Sequence, residues 1–165
     1  MEQAVTRNHA HARASGLGAA WAAFALGLLY AVASAYWGLG GSWLPDTVGA
    51  SVAQPGRSAS AAVVLAVLCA VGLKAIAAVL PLLAVGAGAA RVRRRHLIRA
   101  LACVDAAILT VYGLNSTAVG LLVQAGLIGT PANADHRALA WHAYVWDPWL
   151  LVWGVLVTAA LLRSR

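Results

Sequence analysis

An all-α membrane protein with four transmembrane helices is the fold this sequence predicts, on three observations. Hydrophobic residues make up 62% of the 165 positions and charged residues only 10%, too little polar surface to clothe a water-soluble globule. The apolar residues gather into four long stretches, separated by short loops rich in glycine, proline and charge. The arginines lie at the ends of those stretches. The length leaves no room for a second module, so residues 1–165 are read as a single four-helix domain.

Span one is read over residues 16–37. Its apolar run is too long for the core of a signal peptide, and Trp21, Phe24 and Tyr30 interrupt it with bulk. It is therefore expected to be retained, although Arg7 and Arg13 precede it. Ala19, Ala23, Gly27, Ala31 and Ala35 form a row of small residues at four-residue spacing, while Ala20, Phe24, Leu28, Val32 and Tyr36 mostly supply bulk on the next row. Small rows let backbones approach closely in lipid, where no hydrophobic drive operates between helices. The loop over 38–58 holds Gly40, Gly41, Pro45, Gly49, Pro55 and Gly56, residues that break helices and build turns.

Span two, over 59–89, repeats the small row with Ala62, Ala66, Ala70 and Ala78, and Lys74 continues it. Pro81 predicts a kink. Span three covers 97–124. Both are longer than a bilayer requires, so tilt, a kink or extension beyond the membrane takes up the excess. The loop over 125–137 carries Asp135, whose carboxylate suits the N-cap of a following helix. Span four is read over 139–162. Asp147-Pro148 repeats the cap chemistry, but a span starting there would be short. A short outer helix over about 136–146, bent or broken at Asp147-Pro148, is the expectation.

Four spans return both termini to one side. Arg7, Arg13, Arg91, Arg93, Arg94, Arg95, Arg99, Arg163 and Arg165 then share a face, opposite Arg57 and Arg137, which predicts an N-in, C-in orientation. The formal charge of +7 is thereby read as a topology signal rather than a nucleic-acid surface. The expected partners are the bilayer, anionic lipid at Arg91, Arg93, Arg94 and Arg95, and a second copy or a membrane partner against the small-residue rows. The Ala, Gly and Arg-rich composition, with Lys74 the sole lysine, points to a high-GC bacterial genome and a bacterial plasma membrane.

Chemistry is sparsely marked. Cys69 and Cys103 fall in apolar segments and form no CxxC pair, which argues against thiol-disulfide exchange. No deep pair of histidines could ligate a haem, and His136 and His142 stand six residues apart, off a common helical face for a metal. No cofactor or metal is expected. Lys74 does stand out: a charge near the bilayer centre costs about 2.5 to 3.5 kcal/mol on insertion scales. The small row it continues predicts that it points into the bundle. Asp105 lies about 13 Å away in height for a simple hairpin, so Tyr112, Asn115 and Ser116 on span three are the nearer candidate partners. The alternative is a packing lysine, or one reaching outward along its stem.

A second cluster opens span four. Trp141, His142, Tyr144, Trp146, Asp147, Trp149 and Trp153 lie close together, and Trp37 and Trp43 flank the first outer loop on the same side. An interfacial aromatic belt explains tryptophans there. His142, Trp146, Trp149 and Trp153 nevertheless share one helical face, which a belt does not require. A ligand site built from Trp37, Gly40, Gly41, Trp43, His142, Trp146 and Asp147 accounts for the alignment, with the glycines admitting close backbone approach to a ring.

The segments Ala35-Tyr36-Trp37-Gly38-Leu39-Gly40-Gly41-Ser42-Trp43 and Trp141-His142-Ala143-Tyr144-Val145-Trp146-Asp147-Pro148-Trp149 resemble a family of small bacterial membrane proteins catalogued as domain of unknown function 3995. The likeness covers the whole four-helix layout, since one motif closes span one and the other opens span four. Ser34-Ala35 precede Tyr36 where a histidine is common in the family, so a role carried by that histidine does not transfer. The resemblance implies a fold and no activity. Three functions stay open on the residues: binding or transport of a small molecule or lipid through the outer-half pocket, a membrane enzyme acting on a lipid or isoprenoid with His142 or Asp147 moving the proton, and an accessory subunit of a membrane complex.

Overall fold

A computed structural model describes residues 2–39, 41, 61–86, 94–131 and 133–164, with side chains described from residue 14 in the first helix and residue 64 in the second. Every regular element among them is helical: α1 (Glu2–Gly38), α2 (Ala61–Val85), α3 (Arg95–Gln124), α4 (His136–Trp141) and α5 (Asp147–Arg163), the last two joined through a π turn over His142–Trp146. Four stretches are long and apolar enough to cross a membrane: Ala14–Gly38, Val64–Val85, Arg95–Gln124 and His136–Arg163. The fourth contains α4, the π turn and α5 in one continuous helical stretch. The chain is thus a four-helix membrane protein.

α1 lies between α2 and α5, and α3 packs most extensively on α5, whereas α2 and α3 meet lightly. The close approaches occur at glycines. A Cβ on Gly27 would strike the Trp153 ring and Ala78, one on Gly38 would strike Val67, and one on Gly120 would lie 3.0 Å from the Ala143 Cα. Between α3 and α5 the fit is backbone against backbone, at Gly113 beside Leu151 and at Gly154 beside Thr110. Trp153, Val157 and Leu161 fill the centre with Ala23, Ala78, Ala102 and Ala106.

The small row of α1 is where the sequence places it: Ala19, Ala23, Gly27 and Ala31 are buried and Ala35 is half-buried. The row on α2 requires correction. Ala66 and Ala70 are exposed, and the face meeting α1 runs through Val67, Lys74 and Ala78. A four-residue step overshoots a helical turn by about 40°, so a row of several such steps winds off the face on which it ends.

The expected short outer helix is present as α4, and the irregularity falls in the π turn over His142–Trp146, immediately before Asp147-Pro148. Asp147 has helical angles, φ −76° and ψ −43°, and its N–H donates to the His142 carbonyl, one residue beyond the α-helical acceptor. Pro148 has no N–H for the Tyr144 carbonyl, and its ring would crowd that carbonyl in a regular helix. Widening the preceding turn relieves the clash, and there the α-helical ladder is interrupted. α2 continues through Pro81, which is fully buried.

The helix ends are satisfied as their residue types allow. Asp135 Oδ1 accepts from the N–H groups of Arg137 (3.1 Å) and Ala138 (3.0 Å), the predicted N-cap of α4. Arg99 on α3 donates to the Leu161 carbonyl (2.7 Å) and to Ser164 Oγ (3.0 Å), closing the C-terminal end of α5.

Gly154→Ala should destabilise the bundle by about 1 to 3 kcal/mol through forced separation of α3 and α5, because its Cβ would lie 2.6 Å from the Thr110 backbone nitrogen. Gly72→Ala, with nothing within 4 Å, should be neutral or slightly stabilising. Unfolding of the two variants in detergent against the parent checks this; equal stabilities would disprove the tight crossing.

Candidate functional site

At the end of the bundle where α1 finishes and α4 begins, aromatic side chains from two helices interlock. Trp37 on α1 meets Trp146 edge-to-face, with centroids 4.9 Å apart. Tyr30, two turns back along α1, contacts Trp146, Trp149 and Trp153 at 6.4, 6.2 and 6.4 Å. Trp146 and Trp149 stack at 6.2 Å. The Trp149 indole N–H donates to the Leu26 carbonyl at 3.2 Å, tying α5 to the α1 backbone beside Gly27. Trp37, Trp146 and Trp153 are buried, so their rings fill the space between the helices and leave the polar contacts to the rim.

On that rim, His142 Nδ1 lies 3.3 Å from Asp147 Oδ1. Side chains five residues apart in an α-helix point about 140° away from each other. The π turn between His142 and Trp146 brings them together, since its own ladder joins residues five apart. Asp147 is therefore not an N-cap: its backbone is helical and its carboxylate accepts from the imidazole. In the neutral imidazole that pairing selects the Nδ1–H tautomer and turns the Nε2 lone pair outward. His142 keeps 43% of its side chain accessible while Asp147 keeps 12%, so the histidine is the member a ligand can reach. Beside the turn, Ala140, Trp141, Tyr144 and Val145 line an open apolar groove of about 230 Å³.

The predicted residues are thus partly assembled. Trp37, His142, Trp146 and Asp147 come together. Gly41 closes the end of α1, donating its N–H to the Tyr36 carbonyl at 2.9 Å, and a Cβ there would strike the Tyr36 ring. Gly40 and Trp43 lie outside the described residues, as do Arg91 and Arg93. Arg94 and Arg95 are exposed at the start of α3.

Lys74 points into the bundle, but towards α1. Its ammonium donates to Ser34 Oγ at 2.7 Å and sits 4.9 Å from the centroid of the Tyr30 ring. The expected track on α3 does not hold it: Tyr112 and Asn115 are exposed and Ser116 is half-buried. α2 rests mainly on α1, the other hairpin neighbour, although the loop to α3 is the shorter of the two. Asp105 is half-buried, and among the described residues its Oδ2 finds no hydrogen-bond partner, nor do the Thr110 and Thr117 hydroxyls or the Trp153 indole N–H. Tyr30 and Ser34 were not among the predicted site residues. Tyr30 stands seven residues before Trp37 and so on its face, a signal that the sequence does carry.

The profile of a family described as "Protein of unknown function (DUF3995)" matches residues 13–157. The chain belongs to that family. Both segments that carried the resemblance begin within the matched range, and the Trp37–Trp146 contact joins them. No curated protein and no solved structure matches the chain.

A double-mutant cycle with Trp37→Ala and Trp146→Ala should return a coupling of about 0.5 to 1.5 kcal/mol, the usual worth of an edge-to-face pair. Additive effects on unfolding in detergent would mean that the two rings do not cooperate.

Proposed function

We propose that this DUF3995 protein is a bacterial plasma-membrane protein, oriented N-in and C-in, that binds a small molecule or lipid headgroup at the outer end of the bundle. One observation carries the reading. Trp37 and Trp146, from opposite ends of the sequence, converge at 4.9 Å and place the polar His142–Asp147 pair at the mouth of an aromatic wall. An apolar wall with a few placed polar groups is the usual composition of a small-molecule site. The accessible imidazole supplies the polar contact and the open groove at Trp141 and Tyr144 supplies an apolar bed for a chain.

The same pair favours a second reading, a membrane enzyme on a lipid or isoprenoid. A carboxylate that orients an imidazole by Nδ1 leaves Nε2 to accept a proton from a substrate. At the opposite end, Arg94 and Arg95 with the neighbouring Arg91 and Arg93 suit anionic headgroups of the inner leaflet.

Native mass spectrometry with lipid identification on the parent and on His142→Ala tests the main reading. A retained small molecule or lipid is expected on the parent, reduced on the variant; identical adducts on both would sink it. Asp147→Asn distinguishes the enzyme. An amide still accepts from the imidazole N–H but lacks the charge, so binding should persist while turnover falls by roughly 10²-fold or more.

Orientation is checked by labelling Ser51→Cys and Ala132→Cys in a background lacking Cys69 and Cys103. Both introduced thiols should react with an impermeant reagent from outside the cell, and labelling of both from the cytoplasmic side only would reverse the topology.

A further inference from the structure

The Lys74 ammonium has three N–H donors. One goes to Ser34 Oγ at 2.7 Å, and the face of Tyr30 meets the charge at 4.9 Å. Neither contact brings a negative charge, and among the described residues Lys74 forms no ion pair. The helix registers explain why. Gly38 faces Val67 and Gly27 faces Ala78, so Lys74 is level with the stretch around Ala31; Gly27 against Trp153 and Gly113 against Leu151 carry that height through about Trp149 to about Asn115. Asp105 is then about 15 Å lower along α3, and Asp147 is engaged with His142.

We infer that Lys74 and Ser34 form an intramembrane site for an oxyanion, the carboxylate or phosphate of a lipid or a free phosphate ion. Three features fit that chemistry. The Ser34 hydroxyl accepts from the lysine, so its own proton is left to donate, and the ammonium retains a further N–H; two donors from neighbouring helices serve one acceptor group. Lys74 is only half-buried, so one side of it is open to a ligand. On another side the Tyr30 ring meets the ammonium and packs in turn on Trp146, Trp149 and Trp153. The inference rests on a different observation from the ligand reading at the Trp37 end, and on different residues.

That packing supplies a readout, since an anion at Lys74 would lie one ring away from three tryptophans. Purified protein in zwitterionic-lipid nanodiscs is titrated with oleate, with phosphatidic acid and with inorganic phosphate, following tryptophan emission and bound mass by native mass spectrometry. A saturable change with at least one probe is expected. A response to phosphate identifies a free ion as sufficient; a response to oleate or phosphatidic acid alone identifies a lipid headgroup. Lys74→Met should weaken binding by about tenfold or more, Ser34→Ala by a few-fold, and Lys74→Arg should keep it within a few-fold. The binding lost in Lys74→Met should be lost to the same extent in a His142→Ala background, which separates the site from the one at the Trp37 end. No saturable response of the unmodified protein to any probe would overturn the inference, whether or not the variants fold, and so would undiminished binding by a folded Lys74→Met.

Discussion

Helices surrounded by lipid gain little from hiding apolar side chains, because the surroundings are equally apolar; their association depends on how closely backbones approach. Here the approach is set by glycines and alanines, and α5 collects most of it. Gly154 lets α5 press on Thr110, Gly113 receives Leu151, and Gly27 receives the Trp153 ring. Trp153 is the largest fully buried side chain, and its place on Gly27 fixes α5 against α1 at the level where Trp149 reaches the Leu26 carbonyl. The aromatic cluster follows from that seat: with Trp153 fixed, Trp149 and Trp146 are carried along the same face to Tyr30 and Trp37.

The polar side chains divide by depth. At the helix ends they do ordinary work, with Asp135 capping α4 and Arg99 closing α5. Within the bundle they are less completely served. Lys74 has a hydroxyl and a ring but no counter-charge, while Asp105 Oδ2 and the Trp153 indole N–H have no partner at all among the described residues. Unpaired polar groups are costly in a medium without water.

Much of the scaffold was legible in the sequence because the bilayer imposes it. Span number follows from apolar length, the buried row of α1 from its small residues, and the cap of α4 from Asp135. The meeting of Trp37 with Trp146 was legible too, since both segments flank loops on the same side. What failed was phase and neighbour choice. The α2 row of Ala62, Ala66, Ala70 and Ala78 drifts around its helix, so that Ala66 and Ala70 are exposed while Ala78 meets α1. Lys74 had two candidate hairpin neighbours, and the chain pairs it with Ser34, forty positions away across the longer loop, rather than with α3. The π turn left no periodic signal of its own; Pro148 marked the place of the irregularity but not its form.

That turn has a consequence for α4. A π turn accommodates one residue more than the α ladder would, so tightening it would rotate the whole upstream segment by about 100° and draw it along the axis by about 1.5 Å. Ala143 would then leave Gly120, against whose backbone it now sits. Pro148 lies downstream of all this, yet by denying the regular ladder its bond it selects which side of α4 is shown to α3. One imino acid acts as the angular stop for a neighbouring helix.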